Sequence, residues 1–340
     1  MISISPKNAP EAIMDVLSAG LVPMLTSSPG MGKSSIIKQV ADSQGLKVID
    51  MRLSQADPTD LNGFPKILEC GTKAGYVPMD TFPVEGDKVP DGYNGWLLFL
   101  DEMNSAPLSV QAAAYKLVLD KEVGQQKLHS KVVCVAAGNK KGDGAIVNRM
   151  GTAMQSRVIH LEMALDYKAW LDWAADSGID FRITSWINFK PDALHMFDPK
   201  HDDCTFPCPR TWAFLSQIIK PWKGMASSKL ALVAGTVGEG MAREFMTFCS
   251  IFKDLPTIAQ IMANPESVVI SEEPSTRYAL SGLISNYVDS SSAGNLMKVI
   301  NRLPAEFQVI TLQSAMKRDR SLVSVPEVRN WIQVNAAKLM

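Results

Sequence analysis

The stretch Ser27-Ser28-Pro29-Gly30-Met31-Gly32-Lys33-Ser34 constrains this chain more than any other part of it. The apolar run Leu21-Val22-Pro23-Met24-Leu25-Thr26 has strand length and leads into it, and residues 35–41 follow it without Gly or Pro. A strand, a small-residue loop and a helix in that order form a P-loop, whose backbone N–H groups cradle phosphate. Gly30 and Gly32 let the backbone turn inward toward phosphate oxygens. Lys33 supplies charge to the β- and γ-phosphates, and Ser34 supplies a hydroxyl ligand for Mg²⁺. The helix N-terminus adds its partial positive charge at the same point. The candidate binding residues are therefore Ser28, Pro29, Gly30, Met31, Gly32, Lys33, Ser34 and Ser35. The pattern G-x-x-x-x-G-K-[ST] begins with Gly, and this chain has Ser27 there.

A second signal is Trp96-Leu97-Leu98-Phe99-Leu100-Asp101-Glu102. Its consecutive apolar residues read as a buried strand of a parallel sheet. The two carboxylates stand at its C-terminal end, where open α/β sheets place their ligands. Asp101 suits Mg²⁺ through its water shell, and Glu102 suits polarising a water for attack on a γ-phosphate. Further strands are expected at 48–53, 132–137 and 158–163, with helices at 109–119 and 145–155. This alternation predicts an α/β fold with a parallel five-stranded sheet and flanking helices. From about residue 166 strand signals fade, and helices are expected at 167–175, 210–220, 230–251 and 296–316. The expected organisation is a nucleotide-binding domain at 1–165, an α-helical lid at 166–250 and a helical C-terminal extension at 251–340.

Composition narrows the classes of function. The 340 residues are 46% hydrophobic and 20% charged, with a net charge of −1. That balance provides no global positive field toward nucleic acid or anionic membrane, though it leaves room for a local basic groove. No apolar run approaches the roughly 20 residues of a membrane span. The N-terminal residues lack a secretory pattern, so a cytoplasmic location is expected. The five cysteines do not form a disulfide framework.

Taken together, these motifs resemble AAA+ ATPases of the MoxR-like, dynein-related group. The resemblance rests on the P-loop, Asp101-Glu102-Met103-Asn104-Ser105-Ala106-Pro107, Ala137-Gly138-Asn139, Ser156-Arg157-Val158 and Cys208-Pro209-Arg210-Thr211-Trp212, in that order. Asp57 to Pro65 and Gln111 to Leu117 match intervening segments of the group. The resemblance spans about residues 20 to 250. It implies ATP and Mg²⁺ as cofactors, with Ser34 and Asp101 on the metal. It implies Glu102 as the residue activating water, Asn139 as first sensor, Arg157 as a finger reaching a neighbouring subunit, and Arg210 as second sensor. Arg149 competes with Arg157 for the finger. A homo-oligomeric ring, in this family usually a hexamer, follows, with chaperone-like remodelling of a partner carrying a von Willebrand factor A domain. Two other readings stay open: a nucleic-acid motor or loader, and a nucleotide-gated scaffold that hydrolyses little.

Other features are weaker. Residues 64–77 and 122–130 read as hairpins around Gly-rich turns. His195, His201, Cys204 and Cys208 have loose spacing for zinc, and a metal role is set aside. The tryptophans at 170, 173, 186 and 212 have helical spacing and are expected in the core.

Overall fold

Alternation along one strand sets the layers of the first half of the chain. In β6 (Gly95–Asp101), Trp96, Leu98 and Leu100 enter one apolar core, while Leu97 and Phe99 enter another. A strand buried on both faces must be covered by helices on both sides. Helices Ala9–Ser18 and Lys33–Gln44 cover one face through Ile13, Ile37 and Val40. Helix Leu108–Leu119 covers the other through Val110, Ala114 and Leu117.

The computed structural model describes residues 2–140, 142–143, 148, 150–200 and 203–339. Its other main-sheet strands are β1 (Ser3–Ile4), β2 (Val22–Ser27), β3 (Leu46–Arg52), β9 (Val132–Asn139) and β10 (Val158–Met163). They form a six-stranded sheet in the order β1-β10-β2-β9-β6-β3, and every pairing is parallel. The five expected strands all form, and β1 adds a sixth by pairing Ser3 with Glu162 and Ile4 with Met163. Two antiparallel hairpins stand apart from the sheet: β4 (Phe64–Ile67) with β5 (Ala74–Val77), and β7 (Glu122–Val123) with β8 (Gln126–Lys127).

The chain divides into two compact units. The first is Met1–Asp166 with Asp198–Lys200, and the second is Tyr167–Phe197 with His201–Met340. The second is helical among its described residues. One of its cores gathers Trp170, Trp186, Trp212 and Phe245, and another gathers Ile284, Leu296, Phe307 and Trp331. Trp173 departs from expectation, being 41% exposed. Two long expected helices are each divided. The 230–251 run becomes Leu230–Val237 and Glu239–Ser250, broken at Gly238 with φ +85°. The 296–316 run becomes Ala293–Ile300 and Ala305–Arg318, with Pro304 at the break, since proline cannot continue a helix without losing a hydrogen bond. Of the helix expected at 145–155, residues 152–155 are helical, while 145–147 and 149 lie outside the described residues. Among the described residues, no helix is long and apolar enough to cross a membrane.

Candidate functional site

The site assembles where β2, β9 and β6 end. β2 stops at Ser27, and the chain turns through Gly30 (φ +75°) and Gly32 (φ +85°) into helix Lys33–Gln44. A Cβ at Gly32 would meet nothing within 4 Å, so this position requires glycine for its backbone angle and not for space. The first backbone N–H groups of a helix lack intrahelical acceptors, and a helix N-terminus favours an anion. Ser27, in place of the pattern's first glycine, is the last residue of β2, has no left-handed φ and is fully buried.

Lys33, the first residue of the helix, folds back over the loop. Its Nζ donates to the Ser27 carbonyl at 3.2 Å, to Ser27 Oγ at 3.3 Å and to Asn139 Oδ1 at 3.4 Å. Ser27 and Asn139 are register partners at the ends of β2 and β9. At the next residue, Ser34 Oγ donates to Asp101 Oδ2 at 3.3 Å. A hydroxyl and a carboxylate so close are hard oxygen donors of the kind Mg²⁺ takes. Burial, then the charges of Asp101 and Glu102, raise the Asp50 carboxyl above its ordinary value, against the opposing pull of Arg52. The negative charge of Asp101 and Glu102 felt at Asp50 favours a cation near this end of the sheet. The residues present therefore fit Mg²⁺.

Glu102 takes a left-handed backbone (φ +56°), an unusual state for a residue with a side chain. Its N–H donates to Asp101 Oδ1 at 2.8 Å, and its Oε2 accepts from Ser54 Oγ. Ser54 lies in the short 3₁₀ turn Leu53–Gln55 directly after β3, the neighbour of β6. Asn139 is clamped by Asn104: Asn104 Nδ2 donates to the Asn139 carbonyl at 2.7 Å, and Asn139 N–H donates to Asn104 Oδ1 at 3.0 Å. The approach depends on Gly138, because a Cβ there would lie 2.4 Å from Asn104 Oδ1.

The structure thus brings together Lys33, Ser34, Asp101, Glu102 and Asn139. Arg157 stands elsewhere. Its successor Val158 pairs with Val22 at the opposite end of β2, about 16 Å of strand from Ser27. The exposed Arg157 guanidinium lies 4.9 Å from the Tyr115 ring centroid, and its Nη1 donates to the Ala153 carbonyl at 2.7 Å. Arg210 is exposed in the first turn of helix Pro209–Ile219, in the second unit. Arg149 lies outside the described residues. Ser54, Asp50 and the clamping role of Asn104 are absent from the sequence reading. Asn104 alone left a trace, as part of the 101–107 motif.

His201 also lies outside the described residues. Cys208 is buried while Cys204 is exposed, and among the described residues no three His, Cys, Asp or Glu side chains gather as a metal cluster.

No protein-family model matches the chain, and no curated protein does. Among solved structures, it is similar to the Thermotoga maritima RuvB Holliday junction branch migration motor, at 16% identity over 72% of this chain and 69% of that one, with TM-score 0.36. A mutant of Thermotoga maritima RuvB matches at 15% identity over 73% and 71%, with TM-score 0.39. A second mutant matches at 12% over 96% and 88%, with TM-score 0.39. Similarity at this level assigns no family.

Proposed function

We propose that this chain is a Mg²⁺-dependent ATPase of the AAA+ class, MoxR-like, that works as a ring and remodels a partner protein. The observation that carries the reading is the convergence of Lys33, Ser34, Asp101, Glu102 and Asn139 at one end of a parallel sheet. Lys33 exchanges its contacts with Ser27 and Asn139 for β- and γ-phosphate oxygens, and the loop N–H groups take others. Ser34 and Asp101 would hold Mg²⁺, which would neutralise charge developing on the phosphates. Asn139 orients the attacking water, and Glu102 accepts its proton as the water oxygen bonds to the γ-phosphorus and the bond to the bridging oxygen breaks. Arg157 acts on a neighbour's γ-phosphate, since the length of β2 separates it from its own loop. Such a finger contributes about 10³–10⁵ in rate, or about 4–7 kcal/mol. A head-to-tail interface of this kind closes into a ring, here a hexamer.

Residues 166–250 serve as a lid carrying Arg210, and 251–340 as a helical extension. Phe64, Ile67 and Tyr76, exposed on the β4–β5 hairpin, support a protein contact, for which a von Willebrand factor A domain is the proposed partner. The location is cytoplasmic.

The test is ATP turnover by Glu102→Gln and Arg157→Ala, alone and mixed. Each is expected to be inactive alone, and the mixture to recover hydrolysis, because one variant keeps the finger and the other keeps the site. A mixture that stays inactive in verified mixed assemblies overturns the shared site. Wild-type chain that does not turn over ATP with Mg²⁺ removes the ATPase reading and leaves the nucleotide-gated scaffold.

A further inference from the structure

The second unit carries a cleft of 1470 Å³, bordered by helices Tyr167–Asp176, Phe181–Phe189, Pro274–Tyr287 and Ala305–Arg318. It exceeds the roughly 300–1,000 Å³ of a small-molecule site, so an extended occupant fits it better. Its charges sort into committed and uncommitted groups. Asp180, at the floor, is paired with the buried Arg182 at 2.7 Å, and Asp172 is paired with Lys317. Lys168, Lys223 and Lys253 also line the cleft, and all three are exposed. Among the described residues, none of these three has an ion-pair partner. Glu306 is the lining acid outside those pairs. The cleft is therefore locally basic, although the whole chain is nearly neutral.

Aromatic rings share the lining. Tyr287 is 50% exposed, and its ring meets Phe181 edge-to-face at 6.5 Å. Phe181 in turn meets Phe252 edge-to-face at 5.4 Å. This packing holds the Tyr287 ring at the cleft with part of its surface open. An acidic peptide would use the lysines and have no need of a ring. A single-stranded nucleic acid uses both, with phosphates on lysines and bases stacked on aromatics.

We propose that this cleft binds single-stranded nucleic acid, with phosphates on Lys168, Lys223 and Lys253 and a base against Tyr287. The proposal does not rest on ATP hydrolysis, and its test omits nucleotide. Fluorescence anisotropy of the full chain with labelled 20-nucleotide oligothymidylate and oligouridylate, between 50 and 200 mM salt, measures it. Three phosphate contacts give a slope of log K against log salt near −2, taking about −0.7 for each contact. Replacing all three lysines with Gln is expected to cost at least tenfold and flatten that slope. Tyr287→Ala is expected to cost about 5- to 160-fold, and Lys298→Gln, outside the cleft, to change nothing. Failure of both oligonucleotides to bind at 50 mM salt overturns the proposal, as does binding indifferent to the lysines. Lysine-dependent binding of polyglutamate without oligonucleotide binding makes the cleft a peptide site instead. If the variants do not fold, photocross-linking of 4-thiouridine-containing oligouridylate to the native chain decides. Cross-links confined to peptides outside the cleft overturn the proposal.

Discussion

Ser54 donates its hydroxyl to Glu102 Oε2, tying the carboxylate at the end of β6 to the turn that follows β3. The bond spans 48 residues of chain and holds a side chain whose own backbone is in a left-handed state. Removing the anchor frees Glu102 to leave the position from which it would meet water. Ser54→Ala is expected to lower kcat for ATP about tenfold, a part of the roughly 10²–10⁴ that a positioned acid–base group contributes, with KM changed less than twofold. Steady-state kinetics separates the two, and an equal rise in KM would show that Ser54 acts on binding.

Gly138→Ala places a Cβ 2.4 Å from Asn104 Oδ1 and 2.7 Å from its Cγ. Asn104 is buried and clamps Asn139 from both sides, so it cannot move without opening those bonds. The substitution is expected to cost about 1–3 kcal/mol, as overpacking does. Urea denaturation measures this, and ATP turnover is expected to fall with it.

Ser27→Gly restores the pattern's first glycine and removes one of the oxygens that hold Lys33. Nucleotide affinity, measured by calorimetry, is expected to rise several-fold because the ammonium has one partner fewer to give up. Stability is expected to fall by about 0.5–1 kcal/mol from the added backbone freedom. Unchanged affinity would mean that the Ser27 hydroxyl does not restrain Lys33.

Asp180→Ala leaves the buried Arg182 guanidinium, among the described residues, with the carbonyls of Ile219 and Trp222 as its hydrogen-bond partners. An unpaired buried charge costs about 3–5 kcal/mol, so the second unit is expected to melt first in calorimetry.

Asp289 accepts hydrogen bonds from the backbone N–H and hydroxyl groups of Ser291 and Ser292. These bonds lower its carboxyl from the ordinary 3.8 to about 2. A depressed carboxyl contributes stability that is whole above its unfolded value and is lost as pH falls through the folded one. The contribution is therefore expected to fade between about pH 4 and pH 2. Acid titration of Asp289→Ala should show a smaller loss in that window than the native chain. The exposed carboxylate makes the difference at neutral pH modest, about 1 kcal/mol.

The residues gathered at the candidate site were legible because they lie at or just beyond the ends of long apolar runs. β2, β6 and β9 announce themselves by composition; Asp101, Glu102 and Asn139 stand at or next to the ends of β6 and β9, and Lys33 opens the helix that follows β2. β1 was not legible, since two residues have no periodicity to detect. Nor was Ser54, or the Asn104 clamp, because each joins segments remote in sequence and no spacing records a contact across a sheet. The division at Pro304 was readable from its residue, while that at Gly238 depends on a backbone angle that an isolated glycine does not have to adopt. Trp173 shares the helical spacing of Trp170, and only the packing around their helix decides which one is covered.

Both neighbours of β2 come from far downstream: Met24 pairs with Ala136, and Val22 with Val158. During synthesis the phosphate loop therefore leaves the ribosome well before the strands that flank its own. At 5–20 residues per second, about 7–27 s pass before the last of them is made. Through that interval an apolar strand with two open edges is held in solution, and the emerging chain is expected to be a chaperone client before it can be anything else.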